Sequence, residues 1–530
     1  MATTKKTTTK QAADKKPKTA AAKKTAVKTT GIKPNKTARA AKKPGGKSVL
    51  FTAGEAGPFI RSGGLGDVME ALPQALVKLG ADARVMVPLY LEVPEKIKST
   101  MKFLGSVHVP LAWRFVYCGV FMLVRDGVTY YFLDNEYYFK RDGLYGHYDD
   151  AERYAFFSKA CLEVLKLIDF YPDIINANDW HSALVPVFLD ADYRNAEGYQ
   201  NIKTVFTIHN IEFQGKYGKE VLKDILGLPE GLESWVEYEN YVNFMKGGIE
   251  RANAVSTVSQ TYAREIREPF YSYGLHHILN TRSYKIAGII NGIDTTLYDP
   301  KTDPALWKNY SIKTAADKEI NKRELLKFVG LPYCEEGKEA PPVCRGQKMP
   351  LIGMVTRLTE QKGLDLVLRV IDDLLAKDVQ LIVLGKGDWR YENALKEVQQ
   401  RYENKFRVLI NFSKDLAGKI YAGSDIFLMP SKFEPCGLSQ MIAMRYGTIP
   451  VVREVGGLKD TVQPFNPLTK TGLGFTFYGY NAYDMLDAIC RAVSSYYIKD
   501  EWNALIQNTM SSDFGWEASA KKYLELYDKL

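Results

Sequence analysis

Cysteine, histidine and long apolar runs are all scarce in this sequence. Its 530 residues contain six Cys, with no Cys-x-x-Cys pair, and six scattered His. This argues against a disulfide-rich scaffold and a zinc ribbon, and it leaves no visible ligand set for a metal. No stretch approaches the roughly 20 consecutive apolar residues that span a bilayer, which argues against an integral membrane protein. Cys334 and Cys344 flank a polar loop and could be bridged, whereas a cytosolic chain favours free thiols.

Acidic residues are nearly absent from the first 47 positions. This tail holds 14 Lys and Arg39 against Asp14 alone, whereas the rest of the chain carries 61 acids and 56 bases. It has no aromatic residue and little to bury, so we expect it to be disordered. It lacks the features of a signal or transit peptide, so a cytoplasmic location is expected. The tail either makes nonspecific contact with a polyanion such as nucleic acid, or is a solvated extension without a partner.

Short apolar strands alternate with helical patterns along the rest of the chain, in two series. The strands predicted in the first series are Ser48–Thr52, Ala83–Val87, Ile174–Asn176, Thr204–Ile208 and Ala254–Val258. Those in the second are Leu351–Val355, Gln380–Leu384, Phe406–Ile410, Ile426–Met429 and Ile449–Val452. Buried strands separated by helices are typical of parallel sheets. We therefore expect an α/β protein with two doubly wound, Rossmann-like domains facing a cleft, where ligands bind at the carboxyl ends of the strands.

Glycine and polar residues follow three strands of the first series. The loop Gly63-Gly64-Leu65-Gly66-Asp67 precedes a helix predicted over Val68–Leu79, an arrangement that suits a phosphate but also any tight turn. Asn178-Asp179-Trp180-His181 follows another strand, where Asp179 and His181 could bind sugar hydroxyls, or Asp179 could cap a helix with Trp180 as packing. Thr207-Ile208-His209-Asn210 ends the next strand, and its histidine is either structural or part of a site.

Charged residues follow the strands of the second series. Arg357 and Lys362 could clamp a diphosphate and stabilise charge on a departing nucleotide, although either alone would pass for a surface cation. Further on, Glu434-Pro435-Cys436-Gly437-Leu438-Ser439 places a carboxylate just before amides that would open a helix toward a phosphate. Chance is a poor explanation for five such clusters that all stand at strand ends.

These clusters closely resemble those of the bacterial glycogen synthases and plant starch synthases, the retaining GT-B glycosyltransferases of family 5. The resemblance runs in order from Ser48 to Leu530. The matching stretches are Pro58–Val68, Asn178–His181, Ile208–Gly215, Ile290–Asp294, Val355–Leu366, Pro430–Gln440, Pro450–Val462 and Gly515–Leu530. It implies a tail over 1–47, an N-terminal acceptor and catalytic domain over 48–295, and a nucleotide-sugar domain over 296–510. A last helix over 511–530 would pack back on the N-terminal domain.

The resemblance implies an enzyme that transfers glucose from ADP-glucose to the nonreducing 4-OH of an α-1,4-glucan with retention. UDP-glucose as donor and a glucan-binding homologue with weakened catalysis are the alternatives, because Arg61 and Val455 replace the family's usual Lys and Thr. Ile442 stands where many related enzymes carry a second Glu, which favours the glycogen and starch synthase branch. Family members need no metal or cofactor, and Asp190-Ala191-Asp192 is interpreted as surface acids. The oligomeric state is left open.

The resemblance also assigns residues to the site. The catalytic set is His209, Asp179, Glu434, Arg357 and Lys362. The substrate-binding set is Arg61, Gly63, Gly64, Gly66, Asp67, Asn291, Gln361, Cys436, Gly437, Leu438 and Ser439. A front-side attack without a protein nucleophile is expected, and a double displacement through Glu434 is the chemical alternative.

Overall fold

The computed structural model describes residues 46–334 and 348–530. The predicted tail, apart from Gly46 and Lys47, lies outside the described residues, and so does Cys344, so the predicted alternatives for that tail and for the Cys334–Cys344 pair stay open. In the part of the chain that is described, none of the helices combines the length and the hydropathy of a membrane span.

A nine-stranded sheet carries the first half of the chain. The strands of this half are β1 (Ser48–Thr52), β2 (Asp82–Pro88), β3 (Lys102–Leu111), β4 (Arg114–Arg125), β5 (Val128–Asp134), β6 (Ile174–Asn178), β7 (Lys203–Ile208), β8 (Lys216–Tyr217), β9 (Glu237–Tyr238), β10 (Tyr241–Asn243), β11 (Ala254–Thr257) and β12 (Ile286–Gly288). The sheet order is β12-β11-β7-β6-β1-β2-β5-β4-β3, and β8, β10 and β9 form a separate small sheet. All pairs from β12 to β5 are parallel, and β4 and β3 add an antiparallel hairpin.

Helices cover this sheet, which explains why its central strands are continuous apolar runs. The helices of this half are α1 (Gly64–Lys78), α2 (Glu95–Lys98), α3 (Glu136–Phe139), α4 (Asp150–Leu167), α5 (Asp179–Ser182), α6 (Val185–Phe188), α7 (Phe244–Arg251), α8 (Gln260–Glu265) and α9 (His276–Thr281). Every residue of β1 and of β6 is buried, as expected for strands packed on both faces. The strand order reverses between β1 and β6, so a crevice opens at their carboxyl ends.

A six-stranded, fully parallel sheet carries the second half. Its strands are β13 (Leu351–Val355), β14 (Gln380–Gly385), β15 (Phe406–Ile410), β16 (Ile426–Met429), β17 (Ile449–Arg453) and β18 (Phe475–Phe477), in the order β15-β14-β13-β16-β17-β18. The helices are α10 (Lys318–Val329), α11 (Leu364–Arg369), α12 (Ile371–Leu375), α13 (Trp389–Arg401), α14 (Lys414–Gly423), α15 (Ser439–Arg445), α16 (Gly456–Thr461), α17 (Ala482–Tyr497), α18 (Lys499–Ser511) and α19 (Trp516–Asp528). This is the Rossmann strand order, and its reversal lies between β13 and β16.

The structure confirms the expected α/β fold with two doubly wound sheets, while the domain limits stay predictions. The sequence pattern over Leu364–Ala376 predicts a single helix, whereas the structure forms α11 and α12 there. Val370 lies between them with φ −117° and ψ 15°, outside the helical region.

Contacts made by α8 and α19 help to join the halves of the chain. Asp460 on α16 accepts hydrogen bonds from the backbone N–H and the hydroxyl of Thr261 on α8, at 2.9 and 2.6 Å. The last helix, α19, returns to the first sheet, where the Tyr527 hydroxyl donates to Asn176 Oδ1 at 2.8 Å. These contacts fix the crevices of the two sheets relative to each other.

Candidate functional site

The loop between β1 and α1 presents two glycines to open space. Gly63 and Gly64 are exposed, and a Cβ added to either would meet no atom within 4 Å. The loop is held from behind by Glu55, a buried carboxylate that accepts a hydrogen bond from the backbone N–H of Ser62. Burial raises the pKa of Glu55 above its ordinary value. The backbone at the start of α1 is therefore accessible and positioned for an anionic ligand.

The charged residues of the same loop pair with each other. Arg61 Nη1 lies 2.7 Å from Asp67 Oδ1 and 3.6 Å from Glu70 Oε2, at a site about a third exposed. Gly66 lies behind this pair, where a Cβ would come within 2.5 Å of the Arg61 Cβ. The structure thus brings the predicted residues Arg61, Gly66 and Asp67 together, with the Arg61 charge already partnered inside the loop.

Asp179 connects the ends of β6 and β7. Its Oδ1 accepts hydrogen bonds from the backbone N–H groups of His209, at 2.7 Å, and Asn210, at 3.3 Å. Asp179 has φ +53°, a left-handed conformation that Asp tolerates better than most residues and that is common at functional sites. Burial raises the pKa of this carboxyl to about 7, against the lowering effect of the two hydrogen bonds.

The hydrogen bonds around His209 show which of its ring nitrogens carries the proton. Asn178 donates through Nδ2 to the carbonyls of Thr52 and Asn176, so its Oδ1 must be the acceptor in the 2.9 Å contact with His209 Nε2. Nε2 therefore carries the hydrogen, and Nδ1 is left as an acceptor. Burial lowers the pKa of His209 to about 3, so the ring is neutral at physiological pH.

A buried aromatic cluster lies next to these residues, and of its members only Tyr145 was not singled out from the sequence. The ring of His181 stacks on Tyr145 at 4.4 Å and contacts Trp180 at 4.2 Å. Both ring nitrogens of His181 and the hydroxyl of Tyr145 are buried without a hydrogen-bond partner among the described residues. Unpaired buried polar groups are rare in proteins, so this cluster is a candidate for contact with a polar ligand.

At the reversal of the second sheet, Lys362 and Glu434 form an ion pair. Their Nζ and Oε2 atoms lie 2.7 Å apart, with side chains only 16% and 8% exposed. The Ser431 hydroxyl donates to the same Oε2 at 2.8 Å. Arg357 follows β13 beside them; its side chain is exposed and makes no ion pair or hydrogen bond with the described residues. The loop thus carries one cation that is paired with a carboxylate and one cation without a partner among the described residues.

The loop after β17 approaches this pair so closely that it requires glycine. A Cβ on Gly456 would lie 2.0 Å from the carbonyl oxygen of Glu434, and one on Gly457 would lie 2.0 Å from that of Cys436. The Gly457 N–H donates to Glu434 O at 3.1 Å. Three loops therefore converge on the backbone of residues 434–436.

The remaining predicted residues lie around the same backbone. Gln361 donates from Nε2 to Phe433 O at 3.5 Å, and Gly437 and Leu438 precede Ser439, the first residue of α15. Cys436 is buried, which raises the pKa of its thiol to about 12. Asn291, after β12, is buried, and its Oδ1 has no partner in the described chain.

The two crevices are connected through aromatic and helical contacts. Phe433 stacks on Phe270 at 5.7 Å and meets Tyr271 edge-on, so residues of the first half close one side of the second-sheet loop. On the other side, the Tyr262 hydroxyl of α8 accepts from the backbone N–H of Ile211, next to the His209 loop. Residues of the first half therefore contact the loop after β16, and α8 contacts the loop that carries His209.

No cluster of metal-ligating side chains forms within 46–334 and 348–530. The acids of the Asp190-Ala191-Asp192 stretch are taken up by ion pairs: Asp190 pairs with Arg194 and Arg251, and Asp192 with Lys159. Asp190 is partly buried, whereas Asp192 is exposed, as expected for a surface acid.

Comparisons with known proteins identify the family. The family model described as "Starch synthase catalytic domain" matches residues 48–281, and "Glycosyl transferases group 1" matches residues 341–509. Glycogen synthase of Anoxybacillus flavithermus is 48% identical over 91% of this chain and 98% of that protein. The chain belongs to the glycogen synthase and starch synthase family. Glycogen synthase of Clostridium acetobutylicum is 49% identical over 90% of this chain and 99% of that protein.

Solved structures agree with this family. The catalytic domain of starch synthase IV from Arabidopsis thaliana, bound to ADP and acarbose, matches with a TM-score of 0.80 and 33% identity, covering 91% of this chain and 99% of that one. Sucrose-phosphate synthase from Thermosynechococcus elongatus matches with a TM-score of 0.55 and 16% identity, covering 91% of this chain and 98% of that one, a likeness of fold alone. The predicted GT-B glycosyltransferase fold and the predicted family are confirmed.

Proposed function

We propose that this synthase transfers glucose from ADP-glucose to the nonreducing 4-OH of an α-1,4-glucan, with retention, in the cytoplasm, where nucleotide sugars are made. The observation that carries the proposal is the Lys362–Glu434 pair beside the unpaired Arg357, at the carboxyl ends of β13 and β16. Further support comes from the similarity to glycogen synthases and to a starch synthase bound to ADP and acarbose.

The main requirement of the reaction is to stabilise the departing diphosphate. Arg357 supplies a planar cation with several donors, and Lys362 supplies a compact charge at a half-buried position. Charges fixed in a site sheltered from water stabilise developing negative charge more strongly than they would in bulk water. The open space at Gly63 and Gly64 lets the diphosphate approach the backbone at the start of α1 from the other side of the cleft.

The environment of Glu434 favours a front-side reaction over a double displacement. One of its carboxylate oxygens is shared by the Lys362 ammonium and the Ser431 hydroxyl, which weakens it as a nucleophile. In the front-side route the bond from the anomeric carbon to the phosphate oxygen breaks while the acceptor oxygen bonds to that carbon from the same face. The acceptor's proton passes to the departing phosphate oxygen, and ADP leaves.

His209 and Asp179 position the sugar and the acceptor. Because His209 is neutral with its proton on Nε2, its Nδ1 accepts a hydrogen bond from a sugar hydroxyl. Asp179 keeps the His209 loop in place through two backbone hydrogen bonds. The aromatic contact of Phe433 with Phe270 limits water entry at one side, which matters because hydrolysis of the donor is the competing reaction.

The test is nucleoside diphosphate release from ADP-glucose and from UDP-glucose, each with and without glycogen, in EDTA. We expect release that requires glycogen, withstands EDTA and is faster with ADP-glucose. Faster release from UDP-glucose would replace the donor in the proposal. No release from either donor would leave the weakened glucan-binding homologue as the better description.

A further inference from the structure

A second cavity lies between the two halves of the chain, on the other side of the α8–α16 contact. Its volume is about 440 Å³, within the range of roughly 300–1,000 Å³ typical of small-molecule sites. Residues of α8, α16 and α19 line it, together with Glu454 and the segment after α16. None of the residues assigned to glucose transfer is among its lining residues.

Three cations from three different helices line this cavity: Arg264 on α8, Lys459 on α16 and Lys522 on α19. All three are exposed, and none makes an ion pair or a side-chain hydrogen bond with the described residues. Their convergence from separate parts of the sequence gives the lining three cations against two acids, Glu454 and Asp460.

The acids of the cavity are already engaged. Asp460 accepts two hydrogen bonds from Thr261, and Glu454 accepts one from the Thr476 hydroxyl at 2.8 Å. They hold neighbouring elements in place, and neither forms an ion pair with the three lining cations. An anion of the right size would therefore meet three cations without displacing an existing pair.

The cavity is coupled to the cleft through one short helix. Gly456 and Gly457, at the start of α16, touch the carbonyls of Glu434 and Cys436, whereas Lys459 on the same helix lines the cavity. The Glu265 carboxylate of α8 accepts from the Gly456 N–H at 3.0 Å, so α8 is bonded directly to the start of α16. A ligand bound to both helices would stabilise the arrangement of the loops that hold Glu434.

We propose that this cavity binds a small phosphate-bearing anion, with Arg264, Lys459 and Lys522 as its binding residues, and that the bound anion raises donor affinity in the cleft. Arg264 provides the planar donor set suited to phosphate oxygens, and the two lysines supply point charges. The proposed binding of the anion depends only on the cavity, whereas the effect on donor affinity rests on the proposed function.

Calorimetric titration of inorganic pyrophosphate into the full-length protein, with saturating ADP in the donor site, tests the binding. We expect the wild type to bind and the triple variant R264A/K459A/K522A to bind roughly a thousandfold more weakly, given about tenfold for each of the three lost charge-assisted contacts. Lys521→Ala is the matched control, since Lys521 neighbours Lys522 on α19 but pairs with Glu517 outside the cavity. Equal binding by the wild type and the triple variant, or no wild-type binding at millimolar pyrophosphate, would overturn the proposal.

The effect on the cleft is measured as the KM for ADP-glucose at one fixed pyrophosphate concentration. Competition at the donor site raises KM equally in all variants, so the wild type and Lys521→Ala should show a lower KM than the triple variant. Identical KM values would overturn the coupling. Glucose transfer without pyrophosphate should be the same in all three proteins, and its absence in all three would contradict the proposed function while leaving the calorimetric result to stand by itself.

Discussion

The ammonium of Lys362 lies 2.7 Å from a carboxylate oxygen of Glu434, although 72 residues separate them in the sequence. A second pair, Lys432 with Glu360, joins the same two loops at 2.9 Å on their exposed side. The two ion pairs have similar distances but differ in exposure. The contribution of the buried Lys362–Glu434 pair to catalysis can therefore be measured against the exposed Lys432–Glu360 pair as a matched control.

Lys362→Ala should reduce kcat by roughly a hundredfold to a thousandfold, the range for removing one preorganised group that stabilises transition-state charge. It also leaves Glu434 without its partner, so the loss should exceed that of any exposed cation. Initial rates of ADP release with glycogen measure the effect. Lys432→Ala should stay within about threefold of the wild type, because exposed ion pairs contribute little. Near-normal turnover by Lys362→Ala would contradict the assigned site.

Gly63→Ala should separate ligand binding from stability. Its Cβ would meet no protein atom within 4 Å, and its φ of −161° suits any residue, so thermal unfolding should be unchanged. The added methyl would occupy space near the diphosphate and raise the KM for ADP-glucose by about tenfold or more.

Gly66→Ala is the contrasting variant for this loop. Its Cβ would lie 2.5 Å from the Arg61 Cβ, so we expect a loss of about 1–3 kcal/mol in unfolding free energy. If Gly63→Ala lowered the melting temperature as much as Gly66→Ala, the loop would be structural rather than a binding element.

Asp179 should make stability depend on pH. Its folded-state pKa of about 7 lies above its ordinary value of 3.8, so its contribution is fully present below about pH 4 and is lost as the pH rises through 7. The loss is on the order of 4 kcal/mol for a shift of this size. Asp179→Asn should therefore flatten the fall in unfolding free energy between pH 4 and 8, as measured by denaturant titration.

Asp372→Asn is the control for this pH series. The exposed Asp372 bonds to Arg401, which keeps the pKa of its carboxyl below the ordinary value, so it is ionised throughout the same pH window. The slope of stability against pH should be the same in Asp372→Asn as in the wild type. An unchanged slope in Asp179→Asn would show that Asp179 is ionised across the whole range.

Deletion of residues 1–47 should leave glucose transfer intact, because the assigned site lies entirely in the remaining chain. The removed segment carries 14 Lys and Arg39 against one acid, so retention of the protein on DNA should fall and lose its dependence on salt. Equal DNA retention with and without the segment would favour a solvated extension without a partner.

The strands were the most predictable part of the fold. Four of them, Ser48–Thr52, Leu351–Val355, Phe406–Ile410 and Ile426–Met429, have the predicted limits at both ends. Strands that are buried on both faces appear in the sequence as short apolar runs, and turn residues mark where these runs end. The hairpin of β3 and β4 was missed because it alternates buried and exposed residues and exposes Phe115 and Tyr117.

The residues of the candidate site also differ in how well the sequence predicts them. Asp179, His209, Lys362 and Glu434 each stand in a motif at a strand end, so the sequence order already groups them. Glu55 and Tyr145 have no such signal, since Glu55 acts through the backbone of Ser62 and Tyr145 through the ring of His181. Contacts of that kind depend on how loops fold over each other, and no spacing of residues in the sequence predicts them.

Tyr527 reaches Asn176 across 351 positions of the chain. A ribosome that has finished β6 must translate all of the intervening chain before the residue that closes this part of the core exists. The first half of the enzyme therefore cannot complete its packing around Asn176 while its own sheet is being synthesised, and it depends on a segment made much later.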